Sequence, residues 1–596
     1  MSQAATDFYT GKKEKFSGEL KTVTKTLHRF VWYRLFSFFL IFVPVPVLGF
    51  NNWATLALSL AAVVLYFFLV KKNVQHEKRK KKITVLLKIT EDELLALQHA
   101  FSHFENGESF LNTEHFFTYD LDVFGEGSLF QFLNRTSTKS GRSKLADWLI
   151  HPSLNRNEIE KKQEAIKELA QIPEWRLQFL ANGLLFDETE EISQEIENWS
   201  ETELDLKNPA ATKWLINLVP LLTIISLIPS ATGFSNLFIS IAVLSQWVLM
   251  YFYGKRIQKY FRFFGRKSDL LEKYMQLLRF IEEKKFQSEY LLELQRKVNS
   301  PDSASHIFSR LKKHVKEFEY RGNIIVGFFL NSIFLWDIRC VYKLWQWHRK
   351  NRTKLAVWLD VVAETDALIS LANFANNQPH FVYPEIDDND FTFRAKQLGH
   401  PLLQAKKRVC NDFEINGWSK VMIVTGANMA GKSTFLRTVG VNLILGRVGA
   451  PVCAGEMKFT PVKIYTNMRT TDSLLKDESY FFAELKRIKG VLDQLQNGEQ
   501  IFVILDEMLK GTNSVDKLNG SKELIRKLLE FKSVSLIATH DLKLSEMEHE
   551  FPQQVFNKCF EIRIENDELV FDYLLSDGVT QTMNATFLMK KMGIIR

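Results

Sequence analysis

The sequence predicts a multidomain α plus α/β protein: an α-helical core carrying two transmembrane helical hairpins, followed by a P-loop domain with a mostly parallel sheet. Three observations carry this. Two pairs of nearly charge-free stretches lie within the first 253 residues. Glu, Lys, Leu and Arg recur at helical spacing around and after the second pair. From about residue 396, short β-branched runs alternate with helices.

Length and composition set the outer bounds. At 596 residues the chain holds several domains, and 46% hydrophobic with 24% charged residues is close to a globular average. The apolar excess is therefore local, which excludes a polytopic channel. Cys340, Cys410, Cys453 and Cys559 are scattered without paired spacing, so no zinc site or disulfide framework is expected and a reducing compartment is. The net charge of +8 permits contact with nucleic acid or anionic lipid and establishes neither.

The N-terminal segment, 1–84, is expected to hold the first hairpin at about 35–70: Leu35–Phe50 and Trp53–Val70, separated by Asn51 and Asn52. Lys78, Arg79, Lys80, Lys81 and Lys82 then form an unbroken basic block, read as juxtamembrane, with a solvated helix face as the alternative. The second hairpin, at about 215–253, falls within a helical core of 85–395 and consists of Leu215–Ile228 and Ser235–Tyr253. A spanning helix needs about 20 apolar residues. The second and fourth stretches reach that length; the first and third are shorter and contain Pro44, Pro46 and Pro220, so they span as hairpin partners. A buried core hairpin is the competing reading for each pair.

The flanks orient them. Lys12, Lys13, Lys15 and Arg34 precede the first hairpin, Lys213 precedes the second, and Lys255 and Arg256 follow it, while neither connecting loop carries Lys or Arg. The positive-inside rule then expects a multi-pass protein of the cytoplasmic membrane, with both termini and the C-terminal domain in the cytoplasm. No cleavable signal peptide is expected. A fifth run, Ile324–Trp336, has only 13 residues and contains Asn331, and is read as buried core. Ser268–Gly322 is read as a long amphipathic helix broken at Pro301.

The domain at 396–596 carries the chemistry. "VMIVT" (421–425) reads as a buried strand feeding "GANMAGKST", in which Gly426, Gly431, Lys432 and Ser433 satisfy G-x-x-x-x-G-K-[ST]. Backbone N–H groups of Gly426, Ala427, Asn428, Met429, Ala430, Gly431, Lys432, Ser433 and Thr434 would cradle the phosphates of ATP. Lys432 would neutralise the terminal phosphates and the Ser433 hydroxyl would bind Mg2+. "IFVILDEM" (501–508) is an apolar strand ending in two carboxylates, about 75 residues after the loop. Asp506 is placed to hold Mg2+ and Glu507 to orient or deprotonate the attacking water. A third strand, "VSLIAT" (534–539), delivers His540 as a γ-phosphate sensor.

At these residues the sequence resembles the MutS family of DNA mismatch-repair ATPases. "TGANMAGKSTFLRTVG", "LDEMLKGTNSVD" and "ATHDLKL" are similar to that family's nucleotide motifs, and "DESYFFAELKRI" to the stretch whose serine reaches a partner's nucleotide. The resemblance implies a homodimer in which Ser479 acts in trans and Glu484 helps to fix its segment. It also implies a MutS-like helical core and an ABC-like ATPase fold. "GSLFQFLNRTSTKSGRSKLADWLIHP" (127–152), "VAETDALISLANFA" (362–375), "GHPLL" and "VCNDFE" extend it, so it covers about 120–200 and 355–596.

The departures are as informative. The N-terminus holds a hydrophobic hairpin and a basic helix instead of a mismatch-reading domain with a Phe-x-Glu wedge, and hydrophobic helices stand where the family inserts a DNA clamp. Arg408 replaces the aromatic that packs on adenine, and Ala430 replaces a glycine, which is harmless only at negative φ. The expectation is a truncated, membrane-anchored relative that binds DNA, if at all, without mismatch specificity. Two alternatives stand beside it. One is an ABC-type transporter ATPase, which would carry an L-S-G-G-Q signature that residues 473–500 lack. The other is a nucleotide-gated scaffold that binds no DNA.

Overall fold

The computed structural model describes residues 3–49, 52–186, 188, 199, 201–206, 208–265, 267–299, 302–427, 429–469, 480–565, 568–581 and 595. The chain opens with an antiparallel pair of long helices, Gln3–Leu40 and Trp53–Leu97, joined by a tight turn and the short helix Pro44–Leu48. Pro44 and Pro46 sit where the first helix has ended, which is where a missing N–H costs least. Asn52 caps the second helix by accepting from Ala54 N at 3.0 Å. The pair has two unlike halves. At its base Phe16, Val23 and Leu27 are buried with Ile83, Leu86 and Ile89, at spacings of three, four and seven residues that suit a coiled-coil seam. Towards the turn, apolar side chains face outward, with Trp32 70% and Trp53 82% exposed.

A second apolar group joins helices Pro209–Ile225, Leu237–Phe264 and Ile324–Phe334. Gln246, fully buried, links all three. Its Nε2 donates to Thr223 Oγ1 at 2.6 Å and to Ile333 O at 3.2 Å, and its Oε1 accepts from Leu335 N at 3.1 Å. By length and composition four helical segments, Gln3–Leu48, Trp53–Leu97, Pro209–Ala231 and Leu237–Phe264, could cross a membrane, or five if the bent pair Ile324–Phe334 and Trp336–Asn377 (82°) counts as one.

The Ile324–Trp336 run is not buried core, which corrects the sequence reading. Within its helix only Gly327, Asn331 and Ser332 are buried, while Ile324 is 85% exposed. Its one inward stripe packs on the Leu237–Phe264 helix, where Trp247 Nε1 donates to Ser332 Oγ at 3.1 Å and the Trp247 ring stacks on Phe328. Ser268–Gly322 also differs from the expectation, because it forms three helices: Ser268–Glu283, Glu289–Asn299 and Ala304–Glu319. The additional break follows from Glu168, whose carboxylate accepts Gln287 N at 2.9 Å and Ser288 N at 2.7 Å and so caps the middle helix from outside.

These helices, with Lys139–Ile150, Arg156–Ala170 and Pro173–Leu184, pack around the 42-residue helix Trp336–Asn377. Asp366 on that helix is fully buried and accepts Ser137 N, Ser137 Oγ, Thr138 N and Thr138 Oγ1 at 2.7–3.1 Å. Burial pushes its carboxyl up to about 6, against those hydrogen bonds and nearby Lys273. It is therefore still ionised at neutral pH.

The C-terminal part contains two sheets. The smaller has the order β1 (Glu385–Ile386), β5 (Glu456–Phe459), β2 (Thr392–Leu398), β3 (Asn411–Asn416), with β1 and β5 parallel and the other pairs antiparallel. The larger runs β10 (Glu568–Asp577), β9 (Val555–Glu565), β4 (Lys420–Gly426), β8 (Ser533–Thr539), β7 (Ile501–Asp506), β6 (Lys463–Asn467). A mostly parallel sheet was expected; the architecture is mixed, since β10 runs antiparallel to β9 and the smaller sheet combines both senses. β4, β7 and β8 are nevertheless parallel, with Thr425 opposite Thr539 and Asp506 opposite Ala538. Everything that follows these strands emerges at one edge.

Replacing Asp366 with Ala leaves four donors buried without an acceptor, which costs about 1–3 kcal/mol for each that stays unsatisfied. A fall of at least about 3 kcal/mol in unfolding free energy is expected from denaturant titration of the full chain. An unchanged unfolding midpoint would remove Asp366 from this role.

Candidate functional site

At that edge β4 ends in Gly426, the loop turns through left-handed Gly426 (φ 151°), Met429 (φ 70°) and Gly431 (φ 106°), and the helix Lys432–Arg447 begins. The turn needs its glycines. A Cβ on Gly426 would lie 2.9 Å from Phe560 O, and one on Gly431 3.0 Å from the Tyr573 ring. Ala430, which stands where the resemblance expects glycine, is buried and is not left-handed, so its methyl is tolerated. Asn428 lies outside the described residues, as does Ser479.

Five of the expected side chains converge here. Lys432, buried, donates to Gly426 O at 2.5 Å and Ala427 O at 2.9 Å, so its ammonium is held inside the turn. Burial lowers its pKa, opposed by Glu507 and Asp506. Ser433 Oγ donates to Asp506 Oδ2 at 2.5 Å, which puts a hydroxyl and a carboxylate at one point. Glu507 follows with φ 55°, its Oε1 3.3 Å from His540 Nδ1 and its Oε2 3.7 Å from Lys510 Nζ. Burial alone would raise Glu507; Lys510, His540 and Lys432 outweigh it, and the net shift is downward, which leaves a carboxylate at neutral pH.

Glu484 has a specific task. Buried on the helix Tyr480–Gln496, it accepts Leu509 N at 2.6 Å and Lys510 N at 3.2 Å, and so fixes the turn just past Glu507. That turn carries two left-handed non-glycine residues, Glu507 and Leu509. Such positions cost of order 1 kcal/mol or more and persist only where neighbours impose them.

A cavity of about 680 Å³ opens over the loop, lined by Met429, Lys432, Ser433 and Glu507 on one side and by Leu403, Val409 and Tyr573 on another. The sequence reading missed Tyr573, because its place on the cavity wall is set by an irregularity in the β9–β10 pairing between Phe571 and Leu575 and by Asn411, which bonds Tyr573 O and Leu575 N. Arg408 does not line this cavity. Its guanidinium donates to Leu403 O at 2.6 Å and lies 5.3 Å from the Phe381 ring, while neighbouring Val409 faces the cavity.

The residues present fit a nucleoside triphosphate with Mg2+. A helix N-terminus with a lysine inside the turn suits phosphates, a hydroxyl beside a carboxylate is a hard-oxygen pair, and the volume is that of a small-molecule site. Among the described residues there is no cluster of three His, Cys, Asp or Glu for a tightly chelated metal.

Known proteins place this arrangement. Residues 111–372 match MutS domain III and residues 422–591 match MutS domain V. MutS protein homolog 4 of Mus musculus is 30% identical over 285 residues, covering 46% of this chain and 28% of that protein. The DNA mismatch repair protein MutS of Thermotoga sp. (strain RQ2) is 25% identical over 510 residues, 78% of this chain and 61% of that protein. DNA mismatch repair protein MSH3 of Candida albicans is 28% identical over 246 residues, 38% of this chain and 23% of that protein. The chain thus spans less than two thirds of the length of these relatives. With both domains matched in order, and the family's nucleotide motifs gathered at one sheet edge, the chain belongs to the MutS-related DNA mismatch repair family.

Proposed function

We propose that the chain is a membrane-anchored ATPase of the MutS type that binds ATP with Mg2+, hydrolyses it, and couples this to the closing of a homodimer. The observation that carries this reading is the meeting of Lys432, Ser433 and Glu507 on the wall of one cavity, with Asp506 bonded to Ser433 and His540 beside Glu507. Bound Mg2+ would neutralise charge on the phosphates, with Ser433 and Asp506 as its protein ligands. Lys432 supplies the fixed positive charge. Glu507, ionised and held by the Glu484-braced turn, orients the attacking water and takes its proton, and His540 beside it answers to the terminal phosphate. Ser479 is assigned to the partner subunit's nucleotide.

The exposed apolar faces of the helices at 31–70 and 214–252 support insertion in the cytoplasmic membrane, with the ATPase domain in the cytoplasm. Relatives named for mismatch repair support a role in DNA transactions. The DNA reading carries no mismatch discrimination: the described residues ahead of the MutS domain III match form mainly two long helices, and wedging a base step needs a reader of its own.

Three measurements test these assignments. In the first, Glu507→Gln keeps ATP binding while turnover falls about 10²–10⁴-fold, and Lys432→Ala loses binding as well. Glu484→Ala acts through position, so kcat should drop about 10²-fold with KM nearly unchanged. Normal turnover in Glu507→Gln would refute the assignment of that carboxylate. In the second, reporter fusions after residues 80, 300 and 596 all read cytoplasm, and the chain stays in the membrane pellet after alkaline carbonate; an extracytoplasmic signal from any fusion breaks the two-hairpin topology. In the third, matched and single-mismatch duplexes bind equally and lose affinity steeply with salt. A tenfold preference for the mismatch would reveal a reader domain.

A further inference from the structure

We infer that a cavity at the cytoplasmic foot of the second hairpin binds the phosphate headgroup of an anionic phospholipid. The inference rests on the membrane reading above. The cavity, about 730 Å³, lies between Pro209 at the start of the hairpin, the Ala304–Glu319 helix and the Trp336–Asn377 helix. Arg310, Arg349 and Lys350 line it, with Asp302 as the one carboxylate on the wall among the described residues. Lys343, also on the wall, is already paired with Glu317 at 2.8 Å. Among the described residues no carboxylate lies within ion-pair distance of Arg310, Arg349 or Lys350.

Solvated cations on a convex face would mean little. Here they converge on a concave site with an aromatic floor. The Trp345 ring packs 5.9 Å from Tyr342 and carries the Arg349 guanidinium 5.5 Å from its centroid. At that distance the cation–π attraction draws the guanidinium towards the ring, and its N–H groups suit bidentate contact with a phosphate.

Position identifies the source of that phosphate. Arg339 bonds Ile216 O, which sets the level of the long helix against the hairpin. From Ile216 down to Pro209 is about 10 Å, and from Arg339 down to Trp345 about 9 Å, at helical rise, so both walls reach the cavity at the same depth. Trp214, 73% exposed and the first large outward-facing apolar side chain of the hairpin, lies about 7–8 Å above Pro209. The headgroup layer on each side of the hydrocarbon is about 5–8 Å thick. The cavity therefore opens where lipid phosphates lie. Lys255 and Arg256 near the same end of the hairpin make this the cytoplasmic side, the leaflet to which anionic lipids draw basic segments.

The test is native mass spectrometry of the full chain in detergent micelles, titrated with phosphatidylglycerol or phosphatidylcholine. One phosphatidylglycerol should be retained at least tenfold more tightly than phosphatidylcholine. The double change Arg310→Gln with Arg349→Gln should abolish that preference, and Lys350→Glu alone should weaken it severalfold, each with an unchanged thermal transition. Lys80→Gln with Lys81→Gln, in the other basic cluster, should leave it within twofold. Equal binding of the two lipids overturns the proposal, as does a preference that survives the arginine changes or follows the Lys80 and Lys81 changes. Displacement by millimolar inorganic phosphate also overturns it, because the site would then take a free anion. Release of the chain by alkaline carbonate would instead refute the membrane reading, whatever the lipid titration gives.

Discussion

Asp120 has no exposed surface, yet it is where the helical body and the nucleotide domain are joined. Its Oδ2 accepts from Thr466 Oγ1 at 2.7 Å and Arg487 Nη2 at 3.1 Å, its Oδ1 from Arg469 N at 2.9 Å, and its backbone oxygen from Arg437 Nε at 3.1 Å. Arg437 lies on the helix that begins with Lys432, and Arg487 on the helix that carries Glu484. Asp120 thus holds the end of β6 and the helix that carries Glu484 through its carboxylate, and the helix that begins with Lys432 through its backbone oxygen. Asp122 adds a two-pronged contact to Arg469 at 2.5 and 3.0 Å. Next to it, Leu121 lies so close to Gly440 that a Cβ there would fall 2.7 Å from its side chain. A buried carboxylate with three such partners is costly to leave half-satisfied, so these elements move together or the joint opens.

The convergence of the candidate site was legible in the sequence because its motifs are local. A glycine-rich turn, a strand-end acid pair and a strand-end histidine each announce themselves within ten residues, and parallel register then brings them to one edge. Tyr573 was not legible, since its position depends on an irregular pairing between strands and on Asn411, more than a hundred residues away. Arg408, which stands where the resemblance expects an aromatic on adenine, turns its side chain to Leu403 O and Phe381 instead. The smaller sheet was missed because β1 and β5 are only two and four residues long, too short for alternation to register.

Hydropathy misjudged Ile324–Trp336 for a different physical reason. Apolar composition reports transfer out of water and does not say whether protein or lipid receives the side chain. The distinguishing feature is the inward stripe of Gly327, Asn331 and Ser332, small or polar residues on an otherwise greasy helix. That is the arrangement expected where helices pack in lipid, with hydrogen bonds and close approach replacing the hydrophobic drive. Gln246 follows the same logic, since a fully buried amide in an apolar setting is tolerable only when its donors and acceptor are satisfied, as they are through Thr223, Ile333 and Leu335.

The helix Trp336–Asn377 connects these two environments. It contains neither Pro nor Gly and spans about 60 Å. One end lies beside the second hairpin, where Arg339 bonds Ile216 O; the other is held by Asp366 at Ser137 and Thr138, and by Asn377, which donates to Glu93 at 2.9 Å. Glu93 belongs to the first hairpin and also accepts Arg135 Nε at 2.7 Å. The stiff helix is therefore attached at one end to the second hairpin and at the other to the base of the first. With both hairpins in one bilayer, as proposed, the membrane closes the frame. A displacement at the Asp120 joint cannot then be absorbed by bending the long helix. It must change the tilt or spacing of the two hairpins in the membrane plane, and a lipid phosphate gripped at the foot of the second hairpin would resist that change. On the proposed reading, anchorage would be part of the motor, because the bilayer would supply the fixed reference against which nucleotide-driven closure does work.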